Sequence, residues 1–408
     1  MTDRKKSGST PHKWEFKTRF RRNAFGWKSQ PAIRRVKQAV SEIKKVARGD
    51  PMLAADGAVV FLERVSPALE QVDSSSGAIG TAVNNAIAQL VPIIANAPAD
   101  ARAREAWLER LWDAHAEDAI PYIELLADYW GELCASRDVA SAWADRLLDI
   151  TRLALSPDKE TRGFFHGTSA CLSALYVAER YQEIVDLLNV DTIWSYKEWA
   201  VKALAAMGKK AEAIRYAERC RDAWAPDSQI DAMGQQILLS SGMVEEACRR
   251  YGLTANRRGT YLATFRAVAA KYPHKRAHEI LADLVGTTPG EEGKWFAAAK
   301  DAGLYDQALD LASQSPCDPR TLTRAAADYA DERPAFAVGA GLLALRWLVE
   351  GYGYEITGAD VWAAYQNTMR AAERNGSVTE TVERIRELVA RDSLAGVVSS
   401  WLGKAIGP

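Results

Sequence analysis

The amino-acid sequence predicts an all-α protein: a helical-repeat stack in its second half, preceded by an irregular helical bundle. Three observations predict it. Ala, Leu, Arg and Glu are abundant and β-branched runs are few, which favours helix over sheet. Apolar residues recur at intervals of three and four along most of the chain, the spacing of one helical face. A pattern of small residues then returns about every thirty positions between residues 178 and 312, the mark of stacked supersecondary units. With 408 residues, 48% of them hydrophobic, the chain is long enough for several cores.

Taken in order, "MTDRKKSGSTPH" (1–12) is polar and aperiodic, and a basic, partly disordered arm is expected over 1–30. A bundle follows over 31–157. Its first helix is predicted from Pro31, with Ser29 as N-cap. Ile33, Val36, Val40, Ile43 and Ala47 form its apolar stripe, Arg34, Lys37, Lys45 and Arg48 fall on the other side, and Asp50-Pro51 ends it. Helices over 52–72 and 82–97 contain Pro67 and Pro92, positions of expected breaks or kinks. Three more are predicted over 100–117, 120–136 and 139–155. "SPDKETRG" (156–163) lacks apolar periodicity and reads as a domain boundary.

Beyond it, "MGKKAEAIRYAERC" (207–220), "SGMVEEACRRYGL" (241–253) and "AGLYDQALDLASQ" (302–314) align. Gly208, Gly242 and Gly303 mark turns, where glycine permits a left-handed backbone. Ala213, Ala247 and Ala308 follow five residues later, small enough for close helix approach. Two looser copies have Glu179 in place of the glycine with Ile184 as anchor, and Pro273 near the turn with Ala277 as anchor. Trp199, Phe265 and Trp295 precede three of the turns and are expected to fill the space between units. "WAVKALAAMGKKAEAIRYAERC" (199–220), followed by Pro226, and "WFAAAKDAGLYDQALDLA" (295–312) resemble tetratricopeptide repeats over roughly 164–335. The resemblance implies a helical-repeat fold and a binding surface, and names no activity. Residues 336–408 are predicted as C-terminal capping helices, the last of them at 394–406.

Five scattered cysteines without a Cys-x-x-Cys motif point to buried free thiols in a reducing compartment. No run of eighteen apolar residues and no apolar signal core occur, so a cytoplasmic protein without membrane association is expected. Net charge is −1 overall but strongly divided. Residues 1–50 hold fifteen Lys and Arg against four Asp and Glu; the remainder holds 37 against 49. The arm therefore docks on its own acidic body or reaches an anionic partner.

Cations interleaved with aromatics suit nucleic acid, because cations neutralise phosphates and rings stack on bases. The candidate contacts are Lys13, Trp14, Lys17, Arg19, Arg21, Arg22, Trp27, Lys28, Arg34, Arg35 and Lys37, with Lys44 and Lys45 further along. Arg257, Arg258, Lys275 and Arg276 stand at successive repeat turns and are expected to form a second basic ridge. Other motifs are weaker. His274 and His278 are four apart, but no third ligand is evident. "GTTPGEEGKW" (286–295) lacks the first glycine and the Ser/Thr of a phosphate loop. "HGTSAC" (166–171) brings His, Ser and Cys together without a visible triad. "GYGYE" (351–355) is a glycine loop bearing two tyrosines. No catalytic residue, cofactor site or metal site is predicted, and nothing in the sequence sets an oligomeric state. The expectation is a non-enzymatic scaffold binding a protein or peptide; the alternative is nucleic-acid binding through the arm and the ridge.

Overall fold

Apolar stripes separated by turn residues fold this chain into helices. The computed structural model describes residues 12–158, 160–190, 192–221, 227–390 and 401–402. The polar leader at 1–11, Pro226 and most of the predicted last helix lie outside them. Among the described residues there are α-helices and two short 3-10 segments, and no strand. The chain divides into two compact units at 226/227; the predicted boundary at 156–163 is a turn-rich connection inside the first.

The first unit contains α1 (Glu15–Arg19), α2 (Ser29–Ala47), α3 (Pro51–Leu69), α4 (Ala78–Ala95), α5 (Ala101–Ala116), α6 (Trp130–Cys134), α7 (Arg137–Ala154), α8 (Thr168–Val177), α9 (Tyr181–Leu187), α10 (Trp194–Ala206) and α11 (Lys210–Arg219). α2, α3 and α4 pack on one another. Ile33, Val36, Val40 and Ile43 of α2 are buried, as their spacing requires. Ser29 is not the N-cap: it is the first helical residue, Lys28 precedes it, and no side chain caps this end. Asp50 closes one helix and opens the next, its carboxylate accepting the Leu53 N–H at 2.9 Å, while Pro51 takes the first position of α3. Helices α3 and α4 run through Pro67 and Pro92. Both prolines lie in the last turn of their helix, so little helix remains beyond them to be displaced by a kink.

α4 is, among the described residues, the one helix with the length and mean hydropathy (1.4) to cross a membrane. It is amphipathic here: Val83, Ile87, Leu90 and Ile94 are buried, whereas Asn84, Asn85 and Gln89 are exposed. Its end is closed by a buried guanidinium. Arg104 donates to the carbonyls of Ile94 (2.6 Å), Ala95 (3.2 Å) and Ala97 (2.9 Å), and also to Leu133 (3.4 Å).

The second unit contains α12 (Asp227–Leu239), α13 (Val244–Tyr251), α14 (Tyr261–Lys271), α15 (Ala277–Gly286), α16 (Phe296–Asp301), α17 (Tyr305–Gln314), α18 (Pro319–Tyr329), α19 (Pro334–Val349), α20 (Gly358–Asn375) and α21 (Val378–Val389). Most helices pack on the next in sequence, as α12 on α13, α16 on α17, α18 on α19 and α19 on α20, and several on the next but one: α14 on α16, α17 on α19, α18 on α20, α19 on α21. In the first unit α8 and α10 do the same.

One turn recurs in detail. Glu179, Gly208, Gly242 and Gly303 all have left-handed backbones, with φ of 59°, 80°, 74° and 74°. At each, the following N–H reaches back five residues to a helix carbonyl: Arg180 to Leu175, Lys209 to Leu204, Met243 to Leu238 and Leu304 to Ala299, at 2.9–3.0 Å. This bond satisfies carbonyls orphaned at a helix end. The anchors Ile184, Ala213, Ala247 and Ala308 are fully buried, and Trp199, Phe265 and Trp295 nearly so. One position differs from expectation. Ala277 is the half-buried first residue of α15; Ile280, three residues later, takes the buried anchor place. A further copy of the turn appears at Gly376 (φ 68°), where Ser377 N–H bonds Ala372 O at 3.0 Å and Thr381 is the buried anchor.

Candidate functional site

The basic arm is fastened to the first unit by its aromatic residues. Trp14, Phe16 and Phe20 are buried. Trp14 lies against Gly57 of α3, and Phe16 and Phe20 meet Phe61 edge-on at 5.7 and 5.1 Å. The Glu42 carboxylate accepts the N–H groups of Glu15 (2.8 Å) and Phe16 (3.3 Å). Asn23 donates its N–H to Pro67 O at 3.0 Å, and Asp73 donates to Trp27 O at 2.9 Å. The Trp14 indole is therefore core, not a face open to a base. Of the two tryptophans named from sequence only Trp27, 72% exposed, faces solvent.

The cations point the other way. Lys13, Lys17, Lys28, Arg34, Arg35 and Lys37 are exposed. Arg19 pairs with Glu15 and Arg22 with Glu70, each at 3.2 Å; Arg21 donates to Thr18 O at 3.0 Å. Between α2 and α4 lies a groove of about 570 Å³. Lys37, Lys44, Lys45 and Arg48 line one side, Asn85 and Gln89 the other, and no carboxylate lines it. Lys44 Nζ reaches Gln89 Oε1 at 3.2 Å across the groove. The only acid inside α2, Glu42, is turned onto the arm's N–H groups. Four cations thus face one concavity without acids in its lining, an arrangement that focuses positive potential. Asn85 and Gln89 are not among the residues named from sequence; their signal is a polar i, i+4 pair on the short polar face of a largely apolar helix.

In the second unit the expected ridge separates into two pairs. Lys275 lies 3.6 Å from Asp283, and Arg276 is 2.6 Å from Glu279, so acids neutralise both. Arg257 and Arg258 instead stand at the edge of a cavity of about 320 Å³ reaching Trp295. His274 pairs with Glu245 at 2.9 Å. Among the described residues no group of three His, Cys, Asp or Glu is placed to hold a metal.

The remaining motifs are built into structure. His166 stacks on Trp112 and approaches His115, both at 5.5 Å. Burial and the nearby His166 lower the His115 pKa to about 4. All five cysteines are buried and free. Burial pushes the Cys171 thiol up to about 11 and those of Cys134 and Cys317 to about 12, far from the thiolate a nucleophile needs. In "GTTPGEEGKW", Glu291 is held by the Tyr261 hydroxyl and by Lys294 at 2.5 Å. No protein-family profile matches the chain, and no curated protein is significantly similar to it in sequence.

Proposed function

We propose that this chain is a non-enzymatic, cytoplasmic scaffold of tetratricopeptide-like helical hairpins, and that the groove between α2 and α4 holds an acidic segment of a protein partner. The observation that carries the partner assignment is the lining of that groove: Lys37, Lys44, Lys45 and Arg48 opposite Asn85 and Gln89, with no carboxylate. Amides and ammonium groups suit carboxylates and the polar backbone of a peptide, and Val36, Val40, Ala82 and Ala86 add an apolar floor. Support for the repeat reading comes from the shared turn at Glu179, Gly208, Gly242 and Gly303 and from next-but-one helix packing within each unit. Stacked hairpins of this kind present extended binding surfaces. The buried thiols agree with a reducing compartment.

Nucleic acid is the second reading, favoured by the exposed Lys13, Lys17, Lys28, Arg34, Arg35 and Trp27. Against it, no aromatic ring lines the groove, so base stacking, a main source of single-strand affinity, has no platform there. Fluorescence anisotropy separates the two. A Glu/Asp-rich peptide carrying a few leucines should bind the full chain, and Lys44→Glu with Arg48→Glu should abolish that binding. A single-stranded oligonucleotide that binds more tightly and releases steeply with salt would favour the second reading. No binding of either probe at low salt would overturn both.

A further inference from the structure

The cavity at the edge of Arg257 and Arg258 is built unlike the α2/α4 groove. Its walls come from 253–264 and 284–295, both within the second unit. Leu284, Thr264 and Trp295 are buried and form the floor. The Trp295 ring is held on two sides: its indole N–H donates to Thr288 Oγ1 at 2.8 Å, and Tyr261 meets it edge-on at 4.7 Å. Arg257, Arg258 and Thr287 are exposed and form the mouth. Arg258 donates to Arg257 O at 3.2 Å. Glu291, the acid whose charge reaches Arg257, is already engaged by Tyr261 and Lys294.

A rigid apolar floor with guanidinium groups at the mouth selects a ligand with two ends. A flat ring fits against Trp295 and Leu284. An anionic group fits the arginines, whose planar forks match phosphate oxygens. Hydroxyls of Thr254, Thr260 and Thr287 around the wall suit a polyhydroxylated middle. The volume of about 320 Å³ is at the lower end of small-molecule sites, enough for one such molecule. We infer that this cavity binds a small phosphorylated molecule with a flat ring, in the size and chemical class of a nucleoside 5′-monophosphate. This goes beyond the scaffold reading and does not depend on it.

Isothermal titration of the full chain with adenosine and guanosine 5′-monophosphates, adenosine alone and inorganic phosphate tests the inference. At least one monophosphate should bind saturably, and more tightly than either adenosine or phosphate. Arg257→Ala with Arg258→Ala should weaken it by about tenfold or more, the scale of lost charge-assisted hydrogen bonds. Thr287→Trp, at the exposed mouth, should block it while leaving circular dichroism unchanged. Arg102→Ala, exposed on α5 in the other unit, should not alter it. Three results would overturn the inference: no saturable binding of a monophosphate, binding equal to that of inorganic phosphate, or binding insensitive to both the arginine and the Thr287 variants.

Discussion

Replacing Gly57 by alanine tests how the arm is held. Inside an unhindered helix the change should stabilise by about 0.8–1 kcal/mol, the propensity difference between the two residues. Here the added Cβ would fall inside the Trp14 indole: its three nearest heavy atoms are all ring carbons of that residue, below any normal contact distance. α3 is buried along most of its length, so the indole must give way. Overpacking of this kind costs about 1–3 kcal/mol, against a complete loss of a buried tryptophan at about 3–5 kcal/mol. The balance is a net destabilisation of about 1 kcal/mol, an increase of roughly fivefold in the open population.

Limited trypsinolysis reads that population directly, because Arg19, Arg21 and Arg22 lie in the docked segment and cleavage follows local opening when reclosing is fast. Gly57→Ala should speed cleavage there about fivefold, an estimate resting on the same free-energy scale. In a Trp14→Ala background the sign should reverse. With the ring gone, Gly57→Ala should raise the denaturant midpoint of the first unit, since contacting sites are not additive. Slower or unchanged cleavage for the single variant, or a double variant equal to the sum of the singles, would refute the docking argument.

Further predictions concern the fold. Gly303→Ala should destabilise by about 1–2 kcal/mol through the left-handed backbone alone, because no atom lies within 4 Å of the new Cβ; Glu179→Gly should stabilise by up to about 1 kcal/mol for the same reason, both by chemical denaturation. Arg104→Ala should cost about 1–3 kcal/mol by removing the charge-assisted bonds to the Ala95 and Leu133 carbonyls, the Ile94 and Ala97 carbonyls keeping backbone donors, and Arg104→Lys should recover only part of it in the same assay, since an ammonium cannot reproduce the fork. His115 has a folded pKa of about 4 against about 6.5 unfolded, so the unfolded chain binds the extra proton. Its contribution, up to about 3 kcal/mol, should be present above pH 6.5 and be lost as pH falls toward 4. A pH series of unfolding midpoints checks this, and His115→Gln should flatten that segment.

Local periodicity made most helices legible, since Ile33, Val36, Val40 and Ile43 declare their buried face without reference to any other element. Turn chemistry was legible where it is stereochemical: Gly208, Gly242 and Gly303 sit where φ must be positive, and Glu179 keeps the same geometry without glycine because its neighbours bond as theirs do. The register failed at Ala277. Pro273 suggested an early helix start, but Pro273–Arg276 form a turn and α15 begins four residues on, moving the anchor to Ile280. Gly376 and Thr381 escaped notice because their anchor is polar and because the long α19 and α20 separate this turn from the one at Gly303 by far more than about thirty residues. The cations of the α2/α4 groove could be read one by one, yet their partners could not. Asn85 and Gln89 face Lys44 only through the packing of α4 on α2, and Trp295 joins Arg257 only through the packing of 284–295 on 253–264.

The sequence posed a choice between an arm that docks on its own body and an arm that reaches an anion. Docking does not use up the cations, because rings and charges lie on opposite faces of the same segment. Trp14, Phe16 and Phe20 turn inward, while Lys13, Lys17 and Lys28 remain exposed. Burying three rings is worth several kcal/mol, at about 1.5–3 kcal/mol for a large side chain. Exposed pairs such as Arg19–Glu15 and Arg22–Glu70 contribute about 0–1 kcal/mol each and are screened by salt. Docking should therefore be nearly independent of ionic strength, whereas binding of the proposed acidic peptide at the α2/α4 groove should weaken as salt rises. Trypsin cleavage at Arg19–Arg22 and peptide anisotropy, both measured between 50 and 500 mM salt, check the contrast. An arm released by salt in parallel with the peptide would mean that charge, not ring burial, holds it in place.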